Sequence, residues 1–336
     1  MAERPAAYSH LRYLAAKKTV DDRALNRRLW ERLQQELRAT RGPLRVLELG
    51  AGIGTMVERL VEGGILAPAG PGSAASPAGA RAREVYVTLV DSDAACIAEA
   101  GARLSAWAGG VGLAVAEDEG RLCLSRRDLT VVVEPVAGDA LAFVADAARQ
   151  GAWDLLIANA FLDLIDVRAV LPLLLSALRP GGLFYFTINF DAGLILEPTI
   201  DRALDDRIAA LLYEAMDGGR PTGSECVNSR VGRQLFHAVR RAGGTVLDVG
   251  SCDWVVFPGP AGYPADEAYF LHHIIYFIAE MLSGSPALDA NAFAAWVEER
   301  HRQIDAAELI YIAHQLDLLG RVPADDQRLA RGGPDA

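Results

Sequence analysis

The chain has 336 residues, 51% of them apolar, with 33 basic and 44 acidic side chains and a formal net charge of -11. That composition supplies a large α/β core and argues against global disorder, while the acidic balance weighs against a nucleic-acid partner. Cys96, Cys123, Cys226 and Cys252 lie far apart without CxxC spacing, so neither a zinc cluster nor a disulfide framework is expected. No signal-type or membrane-length apolar run is present, which points to a cytoplasmic chain with no membrane partner.

Residues 8–39 read as charged helix, and "DDRALNRRLWERLQQEL" places Leu25, Leu29, Trp30, Leu33 and Leu37 on one stripe. Residues 1–43 therefore form a helical N-terminal cap, covering a cleft or packing on the sheet edge. "RVLELG" is a short buried strand that runs into a glycine turn and a helix. "APAGPGSAASPAGARA" is a flexible loop. "EVYVTLVDSD" is a second strand ending in two acids, and "AACIAEAGARLSAWA" is a helix. "LCLSRRDLTVVVEPV" suggests a hairpin or an added strand pair before "GDALAFVADAA". "WDLLIANAF" is a strand from Trp153 to about Ala158. "AVLPLLLSALRPGG" is a helix stopped by Pro180, Gly181 and Gly182, and "LFYFTINF" is the next strand. This alternation over 44–190 predicts a mostly parallel, doubly wound α/β sheet.

Residues 191–225 read as a polar helical insertion leaving through "DGGRPTG". Residues 226–260 return to the core with the helix "VGRQLFHAVRRAGG" and two short strands in "TVLDVGSCDWVVFP". Residues 261–322 read as a helical extension, including "DEAYFLHHIIYFIAEML" and "ANAFAAWVEERHRQIDAAELIYIAHQLDLLG". Residues 323–336 are a polar tail. The apolar extension packs within one subunit or forms a homodimer.

In "ELGAGIGT" the glycines are Gly50, Gly52 and Gly54. A dinucleotide GxGxxG motif would need glycine where Thr55 stands. The turn still lets a ligand approach the chain, and the following helix presents free N–H groups. Asp91, at the tip of the second strand, can accept two ribose hydroxyls; Asp93 shares that role or caps the next helix. Asp139 in "GDAL" accepts from an adenine amino group, with Ala140 packed nearby, or caps "ALAFVADAA".

Together, "VLELGAGIGT", "LVDSD", "GDAL", "LLIANAFLDL" and "LRPGGLFYFTI" resemble the class I S-adenosylmethionine-dependent methyltransferases over residues 44–190. The two late strands would be the sixth and seventh. The resemblance implies a Rossmann-like seven-stranded sheet with an antiparallel last strand and S-adenosyl-L-methionine as cofactor. It places Glu48, Gly50, Ala51, Gly52 and Gly54 around the methionyl end, and Asp91 with Ser92 at the ribose. Asp139 and Ala140 would flank adenine, and Asn159 and Ala160 would lie near the sulfonium. The glycine-alanine-rich stretch after the first helix lengthens a loop without breaking the order.

Ligands of open α/β sheets lie beyond the carboxyl ends of the strands. Phe161, Asp163 and Asp166 follow strand four there, and Asn189, Phe190 and Asp191 follow strand five. Phe161 can cover an apolar face, and Asn189 and Asp191 can line an acceptor pocket. Asp163 and Asp166 hold an acceptor or start a helix. His272 and His273 are adjacent on a helix and point apart, so one can be a base or orienter while the other packs. Tyr269, His273 and Tyr276 share one face, as an acceptor wall or a packed stripe. His301 is expected to face solvent, His314 to be buried in the tail, and Trp254 to be core. No HExxH or metal triad occurs. The reading is an enzyme that methylates a small or medium organic acceptor, with His272, His273 or Asp191 as candidate bases. The alternatives are a protein or nucleic-acid acceptor, or a non-catalytic adenosyl-binding regulator.

Overall fold

Val46 and Leu47 are neighbours on the first strand, both fully buried, yet they belong to different cores. Alternate side chains of a strand face opposite ways, so a strand buried on both sides must sit inside a sheet covered by two helical layers. The computed structural model describes residues 5, 7–38, 40, 42–66, 82–218 and 228–324. In chain order the elements are α1 (His10–Ala24), α2 (Arg27–Arg38), β1 (Leu44–Leu49), α3 (Thr55–Glu62), β2 (Arg83–Asp91) and α4 (Ala94–Gly110). They continue with β3 (Ala114–Asp118), β4 (Arg121–Arg126), β5 (Leu129–Ala137), α5 (Ala140–Ala145), β6 (Trp153–Asn159), α6 (Val167–Ser176) and β7 (Leu178–Glu197). The last are α7 (Arg202–Asp217), α8 (Val231–Arg241), β8 (Thr245–Ser251), β9 (Trp254–Val256), α9 (Glu267–Leu282), α10 (Ala290–Asp305) and β10 (Ile310–Arg321).

The sheet order is β3-β4-β5-β2-β1-β6-β7-β10-β8, with β9 paired to β10. Strands β5, β2, β1, β6 and β7 pair in parallel, and β10 runs antiparallel between β7 and β8. These seven form the Rossmann-like sheet with its reversed last strand. The whole sheet has ten strands rather than seven, because β3 and β4 widen one edge and β9 adds to β10. The hairpin expected around 122–136 is the β4–β5 pair.

One helical layer buries Leu29, Leu33 and Leu37 of α2, Met56 and Leu60 of α3, and Ala100 and Leu104 of α4 against Val46 and Val87. The other buries Val144, Leu171, Leu174, Leu235 and Val239 against Leu47, Leu156 and Phe186. A third apolar cluster sits over the carboxyl edge. It joins α1, α7, α9 and α10 to Ile188, Trp254 and Tyr311. Trp254 is core as expected, and its indole N–H donates to Asp21 at 2.9 Å.

Several boundaries differ from the sequence reading. The N-terminal helix is two helices. The chain breaks at Leu25–Asn26, where the Asn26 amide donates to Asp317 and its side-chain oxygen accepts from Leu29. The insertion at 191–225 begins as strand, since β7 continues to Glu197 paired with β10, and its helix starts only at Arg202. The region 261–322 is not helical throughout: α10 stops at Asp305 and "IYIAHQLDLLGR" is β10. The seventh strand is therefore β10, with "WVV" only an added partner. The stop was hidden because Ala307, not glycine, takes the left-handed residue after α10 (φ 53°). The 67–81 loop expectation, most of the "DGGRPTG" exit, Cys226 and residues 325–336 lie outside the described residues. Among the described residues no helix is long and apolar enough to cross a membrane.

Candidate functional site

β1 ends in the turn Gly50–Gly54 at the carboxyl edge. Gly50 and Gly52 hold φ of 66° and 53°, which side chains rarely adopt. A Cβ on Gly50 would meet Phe161 Cδ2 at 2.6 Å, and one on Gly52 would meet Leu14 Cδ1 at 3.3 Å. The Gly52 amide donates to Asp91 Oδ2 at 2.8 Å, and the Asp93 amide donates to Asp91 Oδ1 at 2.9 Å. The Gly138 amide donates to the Asp91 carbonyl at 2.8 Å. Three segments far apart in sequence thus meet around Asp91. Ser92 beside it is exposed. Asp93 caps α4 through Ala95, and Asp139 caps α5 through Ala142 at 2.6 Å, next to the buried Ala140.

Glu48 lies beneath this turn, 2% exposed, and its Oε2 has no hydrogen-bond partner. Burial pushes its carboxyl up to about 8; the Arg59 charge opposes this and Asp91 adds to it. Removing one charge from water without a donor is costly, so this atom calls for a cationic or hydrogen-bonding partner.

At the next strand exits, Asn159 accepts from the Thr187 hydroxyl at 2.8 Å, and the Ala160 amide donates to the Thr187 carbonyl at 2.9 Å. Ala160 (φ 50°) and Ile188 (φ 56°) are both left-handed. A β-branched residue there is strained. Ile188 is held by its amide donating to buried Asp317 at 2.9 Å. Asn189 and Asp191 turn away from the pocket role expected of them. Asn189 is fully buried and donates to the Leu316 carbonyl. Asp191 is 3% exposed and is taken up by Arg233, whose Nε lies 2.9 and 3.0 Å from its two oxygens.

Helix α1 crosses the site. Leu14 lies on Gly52, as above. On one side Arg59 of α3 donates to Asp22 at 2.6 Å, and Lys18 pairs with Glu58 at 3.6 Å. On the other, Arg12 binds Asp266 in bidentate fashion, Arg23 pairs with buried Glu267, and the Ser9 amide donates to Tyr269 Oη at 2.7 Å. Tyr8 stacks on Tyr276 and Tyr13 on His273, each with ring centroids 4.3 Å apart. Tyr269, His273 and Tyr276 do share one face of α9, and that face meets α1. Burial lowers His273 to about 4, so it is neutral at physiological pH.

His272 points the other way, into the α9–α10 contact, where its Nδ1 is 2.9 Å from Nδ1 of His301 and its Nε2 is 3.2 Å from Asp305. His301 is 2% exposed, not solvent-facing, because α10 packs it against α9. His314 is half-exposed on β10 rather than buried in a helix, with Nδ1 2.8 Å from Asp253. Among the described residues no group of three or more His, Cys, Asp or Glu side chains is arranged for a metal. Sequence reasoning missed Tyr13, Leu14 and Lys17 as site residues. The available signal was "YSHLRY", whose two tyrosines bracket the start of α1.

No protein-family profile matches the chain, and no curated protein matches it. Several solved structures resemble it at low identity. The YcgJ protein of Bacillus subtilis is 12% identical with a TM-score of 0.46, covering 89% of this chain and 100% of that one. Haemonchus contortus phosphoethanolamine N-methyltransferase 2, bound to phosphomonomethylethanolamine and S-adenosylhomocysteine, is 12% identical with a TM-score of 0.43, covering 95% and 59%. The [4+2]-cyclase SpnF is 16% identical with a TM-score of 0.42, covering 96% and 100%. The strand order and the reversed β10 are those of the class I S-adenosylmethionine-dependent methyltransferase fold.

Proposed function

We propose that the chain binds S-adenosyl-L-methionine and catalyses methyl transfer to a small or medium organic acceptor. The observation that carries this is the convergence on Asp91 of the Gly50–Gly54 turn, the second-strand tip and Gly138, beside the unpartnered oxygen of Glu48. The residues fit the cofactor's chemistry. Each Asp91 oxygen accepts one backbone N–H and keeps a second lone pair for a ribose hydroxyl. Glu48 supplies a buried carboxyl, held mostly protonated by its burial, whose ionised form an amino group would stabilise. Asp139 and Ala140 stand where adenine would lie, and Asn159 and Ala160 stand at the neighbouring strand exit. When bound, the cofactor supplies a methyl group already activated on a sulfonium.

The chain's own work is then positioning and exclusion of water. Helix α1 lies on the glycine turn and must move for a ligand to enter. The cap of α1, α7, α9 and α10 encloses the acceptor side, which supports a small acceptor over a macromolecular one. Of the candidate bases, His273 alone faces α1; His272 and Asp191 are committed elsewhere. Mass spectrometry of ligand released from purified protein tests the proposal. An adenosyl sulfonium or its thioether is expected. A nicotinamide dinucleotide in its place would overturn it.

A further inference from the structure

One carboxylate near the cleft has a buried oxygen without a hydrogen-bond partner. Asp163 sits in a single helical turn, Leu162–Leu164, four residues beyond Asn159. Its Oδ1 is shut off from solvent and has no hydrogen-bond partner, while its main-chain carbonyl accepts from the Asn228 amide at 2.9 Å. The turn is anchored beside the site, since Phe161 lies on Gly50 and Ala160 takes the left-handed backbone.

Lys17 and Tyr13 of helix α1 interact electrostatically with Asp163. Burial pushes the Asp163 carboxyl up to about 6, while a hydrogen bond from its own amide and the Lys17 charge work against that, so the group is mostly ionised at neutral pH. Lys17 does not saturate it, because its ammonium lies 2.6 Å from Asp21. Burial also holds the Tyr13 hydroxyl protonated, with negative charge at Asp21 and Asp163 adding to the effect of Tyr311. Tyr13 in turn stacks on His273 and lies 5.7 Å from Phe270. The surroundings thus hold a carboxylate oxygen without a partner near buried aromatic rings and an uncharged imidazole. A carboxylate oxygen left in that state selects a cationic nitrogen or a strong N–H donor over an anion.

We propose that Asp163 is the acceptor-binding carboxylate, that the acceptor is an amine, and that Asp163 takes the proton the amine releases. This rests on the methyl-transfer reading. The amine nitrogen uses its lone pair to form the bond to the methyl carbon. The sulfur keeps the electron pair of the bond that breaks. An amine bound as its ammonium has no free lone pair, so it first gives one N–H proton to Asp163, which passes it to solvent, and the methylated product leaves as an ammonium.

The test uses the full chain saturated with S-adenosylhomocysteine. Calorimetry compares benzylamine and phenethylamine with benzyl alcohol, phenol and benzoate. At least one amine is expected to bind in preference to its oxygen analogues. Asp163→Asn is expected to weaken that binding about 30-fold, the loss of one charge-assisted hydrogen bond, with S-adenosylhomocysteine affinity held within about threefold. Because the Asp163 carboxylate is bonded by its own main-chain amide, which an asparagine oxygen also accepts, the variant's Tm should be equal to or above that of the parent. Preference for phenol or benzoate, no amine binding, or amine affinity unchanged in Asp163→Asn would overturn the proposal. Failure of S-adenosylhomocysteine itself to bind would overturn the methyl-transfer reading and this proposal with it.

Discussion

The two sides of the cleft are built in different ways. On the cofactor side, the turn after β1 is fastened by main-chain amides of Gly52, Asp93 and Gly138 converging on one aspartate. On the proposed acceptor side, α1 is held to α9 by side chains more than two hundred residues away in sequence, such as Arg12–Asp266 and Arg23–Glu267, and to α3 by the nearer pair Arg59–Asp22. A backbone-made cradle is rigid and depends on a few glycines. A side-chain clasp is adjustable and can open, as the proposed ligand entry at Gly52, beneath Leu14, calls for.

Substitutions that separate the two sides should show this difference. Gly52→Val puts a branched side chain at φ 53° against Leu14 and should weaken S-adenosylhomocysteine binding about 100-fold or more by calorimetry, with circular dichroism unchanged. A folded variant with normal affinity would mean that the turn does not cradle the ligand. Asp91→Ala removes the ribose acceptor and the anchor of the Gly52 amide, a loss of roughly 1–3 kcal/mol in binding. Unchanged affinity would reject that role.

On the other side, Arg23→Met leaves buried Glu267 with only Thr19 as a side-chain donor. It should destabilise the clasp by about 1–3 kcal/mol, lower the Tm and speed exchange of α1 amides, with little change in exchange at β1. Equal protection of α1 in parent and variant would show that the clasp does not hold the helix. A further effect is pH-dependent. A free carboxyl titrates near 4.5 and Glu48 near 8 in the fold, so between those values the folded state holds the extra proton and loses stability as pH rises. Glu48→Gln should therefore gain Tm over the parent progressively from pH 5 to pH 8, by a few degrees at the upper end. A constant difference across that range would contradict the buried, unpaired state of Glu48.

The same contrast explains what the sequence made legible. The glycine turn, Asp91 and the 44–190 strand order could be read because buried strands, turn glycines and helix stops are local signals. The acceptor side could not. β7 runs on to Glu197 and β10 forms only because each pairs with the other across more than a hundred residues. Ala307 ends α10 without the glycine that announces such a stop. Asn189 and Asp191 sit at the right place in the chain, but their side chains go to Leu316 and Arg233, contacts set by β10 and α8. His272 and His273 looked equivalent as neighbours. Only the packing of α10 on one side and α1 on the other distinguishes them.

The central claim is that an adenosyl ligand occupies the turn gripped by Asp91. Its most direct test is calorimetric titration of the parent chain with S-adenosylhomocysteine and, separately, with NAD. The account expects saturable binding of the first at one site per chain, weakened by Asp91→Ala, and none of the second. Binding of NAD alone, or adenosyl binding indifferent to Asp91, would contradict it.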